Sequence, residues 1–194
     1  MKVLRFGLGI PTGTEGLMYP IPYASVQDNI RLAQEAERLG FDSVWGNDHM
    51  TVQRYVEAET SQPPNYYELL TTLTYIAAST KSIKLGTALL VLPLRNPVVL
   101  AKQVATMDQL SGGRIMLGVG IGAYREEFEA IFPGRQAHRG RMAEEGIHAL
   151  RTLFTEDRSS FAGEYCRFKD IRSYPKPLQE PFPIYSGGNS LEVR

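Results

Sequence analysis

Three short stretches carry residue types that could do chemistry. His49 lies in "WGNDHM" (45–50), directly after a short apolar segment and with Asp48 before it. An imidazole changes charge near neutral pH and can give or take a proton in a reaction. A neighbouring carboxylate such as Asp48 can orient it, although loop residues bonded to nearby backbone are the plain alternative for both. The second stretch, Gly187, Gly188, Asn189 and Ser190, follows the apolar run "FPIY". Glycines let backbone N–H groups converge on an anion, and amide and hydroxyl side chains add donors. A simple turn capped by Ser190 would use the same residues. In the third, "RIMLGVGIGAYREEFEAIF" (114–132), Gly118, Gly120 and Ala123 match the dinucleotide fingerprint G-x-G-x-x-G/A.

Other chemistries find little support. The three histidines (His49, His138, His148) have no regular ligand spacing, so no metal set is expected. No G-K-[ST] follows a glycine-rich loop. Lys+Arg and Asp+Glu are both 21, so there is no basic excess to favour nucleic acid. Cys166 is the one cysteine, which fits a reducing compartment. The longest apolar run, about Leu85 to Leu94, is far short of the roughly 20 residues of a membrane helix. The N-terminus does not resemble a signal peptide. A cytoplasmic protein without a membrane partner is expected.

These residues must be positioned by alternating elements. "VLRFGLGI" (3–10) has Leu4, Phe6, Leu8 and Ile10 on one face, which predicts a strand. "SVQDNIRLAQEAERLG" (25–40) predicts a helix capped by Ser25 with Asp28 three residues on and Gly40 at its end. "DSVWG" (42–46) predicts a short strand and 47–64 a long polar loop. "NYYELLTTLTYIAAST" (65–80) predicts a helix with Tyr66, Leu69, Leu70, Leu73 and Ile76 on one stripe. "IKLGTALLVLP" (83–93) is apolar on both faces, as buried parallel strands are. A helix over 96–113 has Asn96 as cap, Pro97 at its first position and Gly112 past its end. A strand over 114–120, a helical turn over 126–132 and a helix over 141–154 follow. A hairpin about Gly163-Glu164, a proline-rich connector (174–181) and a last strand over 182–190 complete the pattern.

Strict β-α alternation predicts a mainly parallel sheet, either doubly wound or a (β/α)8 barrel. The residues speak against a dinucleotide loop. The fingerprint belongs after the first strand, with an acid about twenty residues on at the end of the next strand. Here it follows the fourth strand, and the acids at that distance, Glu144 and Glu145, fall in a helical pattern. A plain tight turn remains open. So does a third reading: glycines at the carboxyl end of a barrel strand let a flat cofactor lie against the backbone.

The segments "GFDSVWGNDHM" (40–50), "KLGTALLVLPLRNPVVLAKQVATMDQLSGGRIMLGVGIG" (84–122) and "PFPIYSGGNS" (181–190), in this order, resemble the bacterial luciferase-like monooxygenase superfamily. That superfamily holds flavin-dependent monooxygenases and oxidoreductases using the deazaflavin F420. The resemblance implies an α/β fold of the (β/α)8 TIM-barrel type with the cofactor at the carboxyl ends of the strands. A barrel of this kind takes about 250 residues. This chain has 194 and only about the first five β-α units. The expectation is therefore a fragment or truncated member: one partial barrel domain over 1–194 with a hairpin insertion near 156–181. Its open edges and half-exposed interior would favour a homo-oligomer.

The resemblance also implies roles. His49 would lie beside the reactive edge of the cofactor, with Asp48 orienting it. Thr87, Ala88 and Leu89 would form a bulge with a non-prolyl cis peptide that backs the ring. Gly120 and Gly122 would keep the rim low. Gly187, Gly188, Asn189 and Ser190 would hold the cofactor phosphate, with Arg125 and Arg139 as lesser candidates. Met50, Val52 and Tyr55 could line a substrate pocket. The cofactor would be FMN, its reduced form coming from a separate flavin reductase, and oxygen would be used on a small organic substrate. The alternative is F420 with hydride transfer and no oxygen. A non-catalytic flavin-binding chain is the reading outside enzymes. Ala123 stands where the F420-dependent sugar-phosphate dehydrogenases carry a catalytic glutamate. Gly120 and Ile121 stand where luciferases proper carry cysteine and arginine. Both specific activities are thereby disfavoured.

Overall fold

The structure, a computed structural model, describes residues 4–13 and 24–187. Gly188, Asn189 and Ser190 lie outside the described residues.

Locally encoded elements fall where the sequence predicts them. Helix α1 spans Val26–Arg38. The Ser25 hydroxyl accepts from the Asp28 N–H and the Asp28 carboxylate accepts from the Ser25 N–H, a complete capping box. Strand β2 (Ser43–Gly46) follows. Helix α4 (Pro97–Ser111) starts with Asn96 Oδ1 accepting from the Val98 and Val99 N–H groups. It stops at Gly112, whose φ of 69° is left-handed.

Other elements depart from the expected spans. The first strand, β1, covers only Gly7–Ile10, and Leu4 and Phe6 are exposed. The polar loop contains a short helix α2 (Arg54–Glu59). Helix α3 covers Leu69–Ser79, capped by the Glu68 carboxylate on the Thr71 N–H. Tyr66 therefore precedes the helix and is free to serve elsewhere. The expected strand over 83–93 divides into β3 (Lys84–Thr87) and β4 (Leu90–Val91) around a cis Ala88–Leu89 peptide, and a 3-10 turn (Leu92–Leu94) follows. Strand β5 (Ile115–Gly120) is buried throughout. Helices α5 (Arg125–Ile131) and α6 (Arg139–Thr155) come next. The hairpin strands β6 (Ser159–Ala162) and β7 (Arg167–Ile171) pair antiparallel, and β8 (Ile184–Ser186) ends the described chain.

The sheet decides between the two candidate architectures. β1 pairs with β2 and β2 with β3, all parallel and with matched registers. β3 and β4 meet the lower and upper parts of β5 on one side, and β8 pairs with β5 on the other. Spatial order thus follows chain order, with β3 and β4 acting as one bent strand. A doubly wound sheet would reverse direction at a switch point. This one never does, so the winding is that of a barrel, and the dinucleotide reading of 118–123 fails on topology.

Alternation along the strands separates two faces. Ile10, Val44, Leu85, Ile115, Leu117 and Val119 point to the helical layer and join the core of α1, α3, α4 and α6. Each fully buried aliphatic chain there contributes about 1.5–3 kcal/mol. Trp45 stands on the inner face. A Cβ on Gly86 would come within 2.2 Å of its ring and one on Gly7 within 2.6 Å, so the indole requires glycine on both flanking strands.

Candidate functional site

The carboxyl ends of β2, β3, β5 and β8 bring most of the expected residues to one rim. Asn47 ties the rim to β1: its Oδ1 accepts from the Gly13 N–H at 3.0 Å and its carbonyl from the Thr12 hydroxyl at 2.8 Å. A Cβ on Gly13 would lie 3.2 Å from His49 Cδ2, so the segment after β1 closes directly on the imidazole.

His49 is 8% exposed. Its Nδ1 lies 2.9 Å from Gln53 Nε2 and 3.6 Å from Glu127 Oε2. Gln53 is also buried, and its Oε1 accepts from the Tyr66 hydroxyl at 2.8 Å. The rings of Tyr66 and Tyr124 lie 5.3 and 5.9 Å from the imidazole. Glu127 Oε1 accepts from the Met50 N–H, and from the Thr51 N–H at 3.3 Å. Burial pushes the Glu127 carboxyl up, but the His49 ring and these amides outweigh it and hold the group below the ordinary carboxylate range.

Asp48 is placed differently from the expectation that it orients the imidazole. Its carboxylate accepts from the Val91 N–H at 2.9 Å and from Arg95 Nη2 at 2.8 Å, so it fastens the rim to β4. The side chains that meet His49 Nδ1 are Gln53 and Glu127 instead. Burial raises the Asp48 carboxyl above its ordinary value, and this wins over the Arg95 charge and the Val91 amide that oppose it. Arg95 Nη1 continues to Glu68 Oε1 at 2.9 Å.

The bend between β3 and β4 has the cis peptide that the resemblance implies. Thr87 is buried and donates its hydroxyl to the Gly118 carbonyl at 2.6 Å, locking β3 to β5. Ala88 is exposed at the rim, and its N–H reaches the Gly46 carbonyl at 2.7 Å. Leu89 swings over the ends of β5 and β8. A Cβ on Gly118, Gly120 or Gly187 would come within 3.2, 2.8 or 2.7 Å of its side chain. The reason for glycine is therefore corrected: Gly120 and Gly187 make room for Leu89 rather than leave bare backbone. Gly187 also donates to the Val119 carbonyl at 3.1 Å. Gly122 has a φ of 82° and sits against Val91, while Arg139 Nη1 donates to its carbonyl at 2.9 Å. Arg125 is on the surface, paired with Glu129.

A flat, mostly apolar ring system suits this rim. Leu89 and the exposed Ala88 supply an apolar floor, and a Cβ on Gly9 would meet nothing within 4 Å on the inner face. The imidazole of His49 is a titratable group at the same rim, with Glu127 against its Nδ1. Sequence reasoning missed Gln53, Tyr66, Arg95, Tyr124 and Glu127. Gln53 lay in the stretch read as a polar loop and Tyr66 on the apolar stripe of a predicted helix, so neither stood out as a partner for His49.

A parallel sheet wound in one direction, with its polar side chains collected at the carboxyl rim, defines an α/β-barrel protein with a rim site. No described helix is long and apolar enough to cross a membrane. The chain belongs to the luciferase-like monooxygenase family, whose model matches residues 4–194. It is 38% identical to an FMNH(2)-dependent dimethylsulfone monooxygenase of Pseudomonas putida, over 98% of this chain and 52% of that protein. An F420-dependent glucose-6-phosphate dehydrogenase of Kineococcus radiotolerans is 35% identical over 79% of this chain and 44% of its own length. The crystal structure of monooxygenase RslO1 from Streptomyces bottropensis superposes with a TM-score of 0.77 at 27% identity, covering 94% of this chain and 53% of that one. The chain thus spans about half the length of the relatives it matches.

Proposed function

We propose that this chain is the rim-bearing half of a flavin-dependent monooxygenase that acts on a small organic substrate with reduced FMN and oxygen. The carrying observation is the buried imidazole of His49, held by Gln53 and Glu127 at the carboxyl rim that also bears Leu89. Similarity to an FMNH(2)-dependent relative supports the cofactor. Because the relative takes flavin already reduced, a separate flavin reductase would supply it. Bound reduced FMN supplies the electrons that activate oxygen. The chain's own residues do the rest: Ala88 and Leu89 support the ring, Gly120 and Gly122 shape the rim, and His49 holds or passes a proton at its edge. The Gly187 N–H is taken by the Val119 carbonyl, so in the turn Gly187, Gly188, Asn189 and Ser190 the donors to the phosphate would come from the last three residues. Residues 1–194 would form one partial barrel, whose open inner face favours self-association.

A second reading, hydride transfer with F420, is supported by the Kineococcus relative. Ala123, exposed and without an acid, disfavours its sugar-phosphate version. Anaerobic titration with reduced FMN and with reduced F420, read by Trp45 and cofactor fluorescence, tests both. Saturable binding of reduced FMN is expected, together with reoxidation kinetics on adding oxygen that differ from those of free flavin. His49→Ala is expected to keep binding and lose that difference. Binding of F420 alone would select the second reading, and binding of neither would overturn both.

A further inference from the structure

Glu127 and Gln53 converge on one nitrogen of one histidine, and they offer it opposite hydrogen-bonding chemistry. Tyr66 donates its hydroxyl to Gln53 Oε1, which turns the amide nitrogen toward His49 Nδ1. An amide N–H can only donate, so neutral His49 accepts at Nδ1 and carries its proton on Nε2. Glu127 Oε2 lies 3.6 Å from the same Nδ1, and a carboxylate can only accept. It becomes the better partner once Nδ1 is protonated. Glu127 is fixed for this part, because its other oxygen holds the Met50 and Thr51 amides directly after His49.

We propose that Gln53 and Glu127 are positioning residues that act in turn at His49 Nδ1, Gln53 holding the neutral ring as the tautomer protonated on Nε2 and Glu127 taking up the Nδ1 proton of the charged ring. Among the described residues, the Tyr66 and Tyr124 rings also lie against the imidazole, and the Asp48–Arg95 pair adjoins it through the chain. Glu127 brings a carboxylate to 3.6 Å from Nδ1, while the Asp48 carboxylate is paired with Arg95. The carboxyl of Glu127 is held below its ordinary range, which favours the anion that a protonated Nδ1 needs as its partner. The inference rests on and deepens the proposed function, since it assigns which nitrogen of His49 carries the proton.

The test is nitrogen NMR of histidine-labelled protein without cofactor, with His49 assigned by the spectrum lost in His49→Gln. Above the titration midpoint, Nε2 is expected to give the protonated-nitrogen signal and Nδ1 the unprotonated one. The opposite tautomer, or rapid averaging of the two, would overturn the proposal. Gln53→Leu should produce averaging. Glu127→Gln keeps an acceptor for the Met50 and Thr51 amides but removes the charge, so the midpoint should fall by about 1 pH unit. An unchanged midpoint in a folded Glu127→Gln protein would refute the role of Glu127. This readout is independent of cofactor: the tautomer can be as expected while FMN fails to bind, which would sink only the proposed function.

Discussion

Arg95→Ala strikes the pair that fastens His49's neighbour to the sheet. Arg95 bridges Asp48 and Glu68, and the Asp48 side chain is 1% exposed against 38% for Glu68. Glu68 can rehydrate when the cation is lost, but Asp48 cannot. For charge centres about 4 Å apart the attraction is about 4 kcal/mol at an effective dielectric of about 20. Stranding one member of a buried pair costs about 3–5 kcal/mol. The Val91 N–H stays on Asp48 Oδ2 and softens the loss, so about 3 kcal/mol is expected. The cost must also depend on pH. Burial already raises the Asp48 carboxyl in the fold, and removing Arg95 raises it further. A group raised in the folded state is fully favourable below its unfolded value, and that contribution is lost as pH rises through the folded value. The deficit of Arg95→Ala should therefore be smaller at about pH 5 than at about pH 8. Urea unfolding followed by Trp45, the single tryptophan, measures it at both. Adding Asp48→Asn should recover much of the loss at the higher pH. A deficit below about 1 kcal/mol, or one equal at both pH values, would refute a buried, charge-dependent pair.

Three further outcomes follow from geometry at other sites. Gly118→Ala places a Cβ 2.2 Å from the Thr87 carbonyl oxygen, a backbone atom that cannot yield, whereas Gly120→Ala meets only the end of Leu89 at 2.8 Å. Thermal unfolding should show Gly118→Ala at or beyond the upper end of the usual overpacking cost of about 1–3 kcal/mol, and Gly120→Ala near its lower end. Glu37 accepts from the Lys81, Ser82 and Ile83 N–H groups, and although burial opposes them they depress its carboxyl to about 2. The stability it brings is present above the ordinary value of 4.5 and lost as pH falls toward about 2. Acid titration of Glu37→Ala should lack that component, about 1–2 kcal/mol after allowing for solvent screening. Glu145 accepts from the Glu164, Tyr165 and Cys166 N–H groups and pins the β6–β7 turn to α6. In Glu145→Ala these three amides should exchange about tenfold faster, and unchanged exchange would show the hairpin is held by other contacts.

What the sequence could reveal was set by how local each cause is. The Ser25–Asp28 capping box and the Asn96-Pro97 start of α4 are decided within four residues, and both stand where the pattern put them. Register and strand order are not local: unbroken β-α alternation left two windings open, and the run of pairings from β1 through β5 to β8 was needed to choose. The division of 83–93 had no compositional sign, because Ala88 and Leu89 are ordinary strand residues; it was expected only through the family resemblance. The rim itself was half visible. His49 stood out by type and place, but two of its partners lie 4 residues away in a segment read as a polar loop and 78 residues away in a predicted helical turn with no sign of contact to it. Glu127 and Gln53 are polar residues in polar segments, and only tertiary packing makes them buried. The glycines carry the same lesson in reverse. Gly118 and Gly120 looked like ligand-binding backbone, but the atoms that demand their missing side chains belong to Thr87 and Leu89, some thirty residues earlier in the chain. A glycine pattern records that something approaches closely. What approaches is settled by the neighbouring strand.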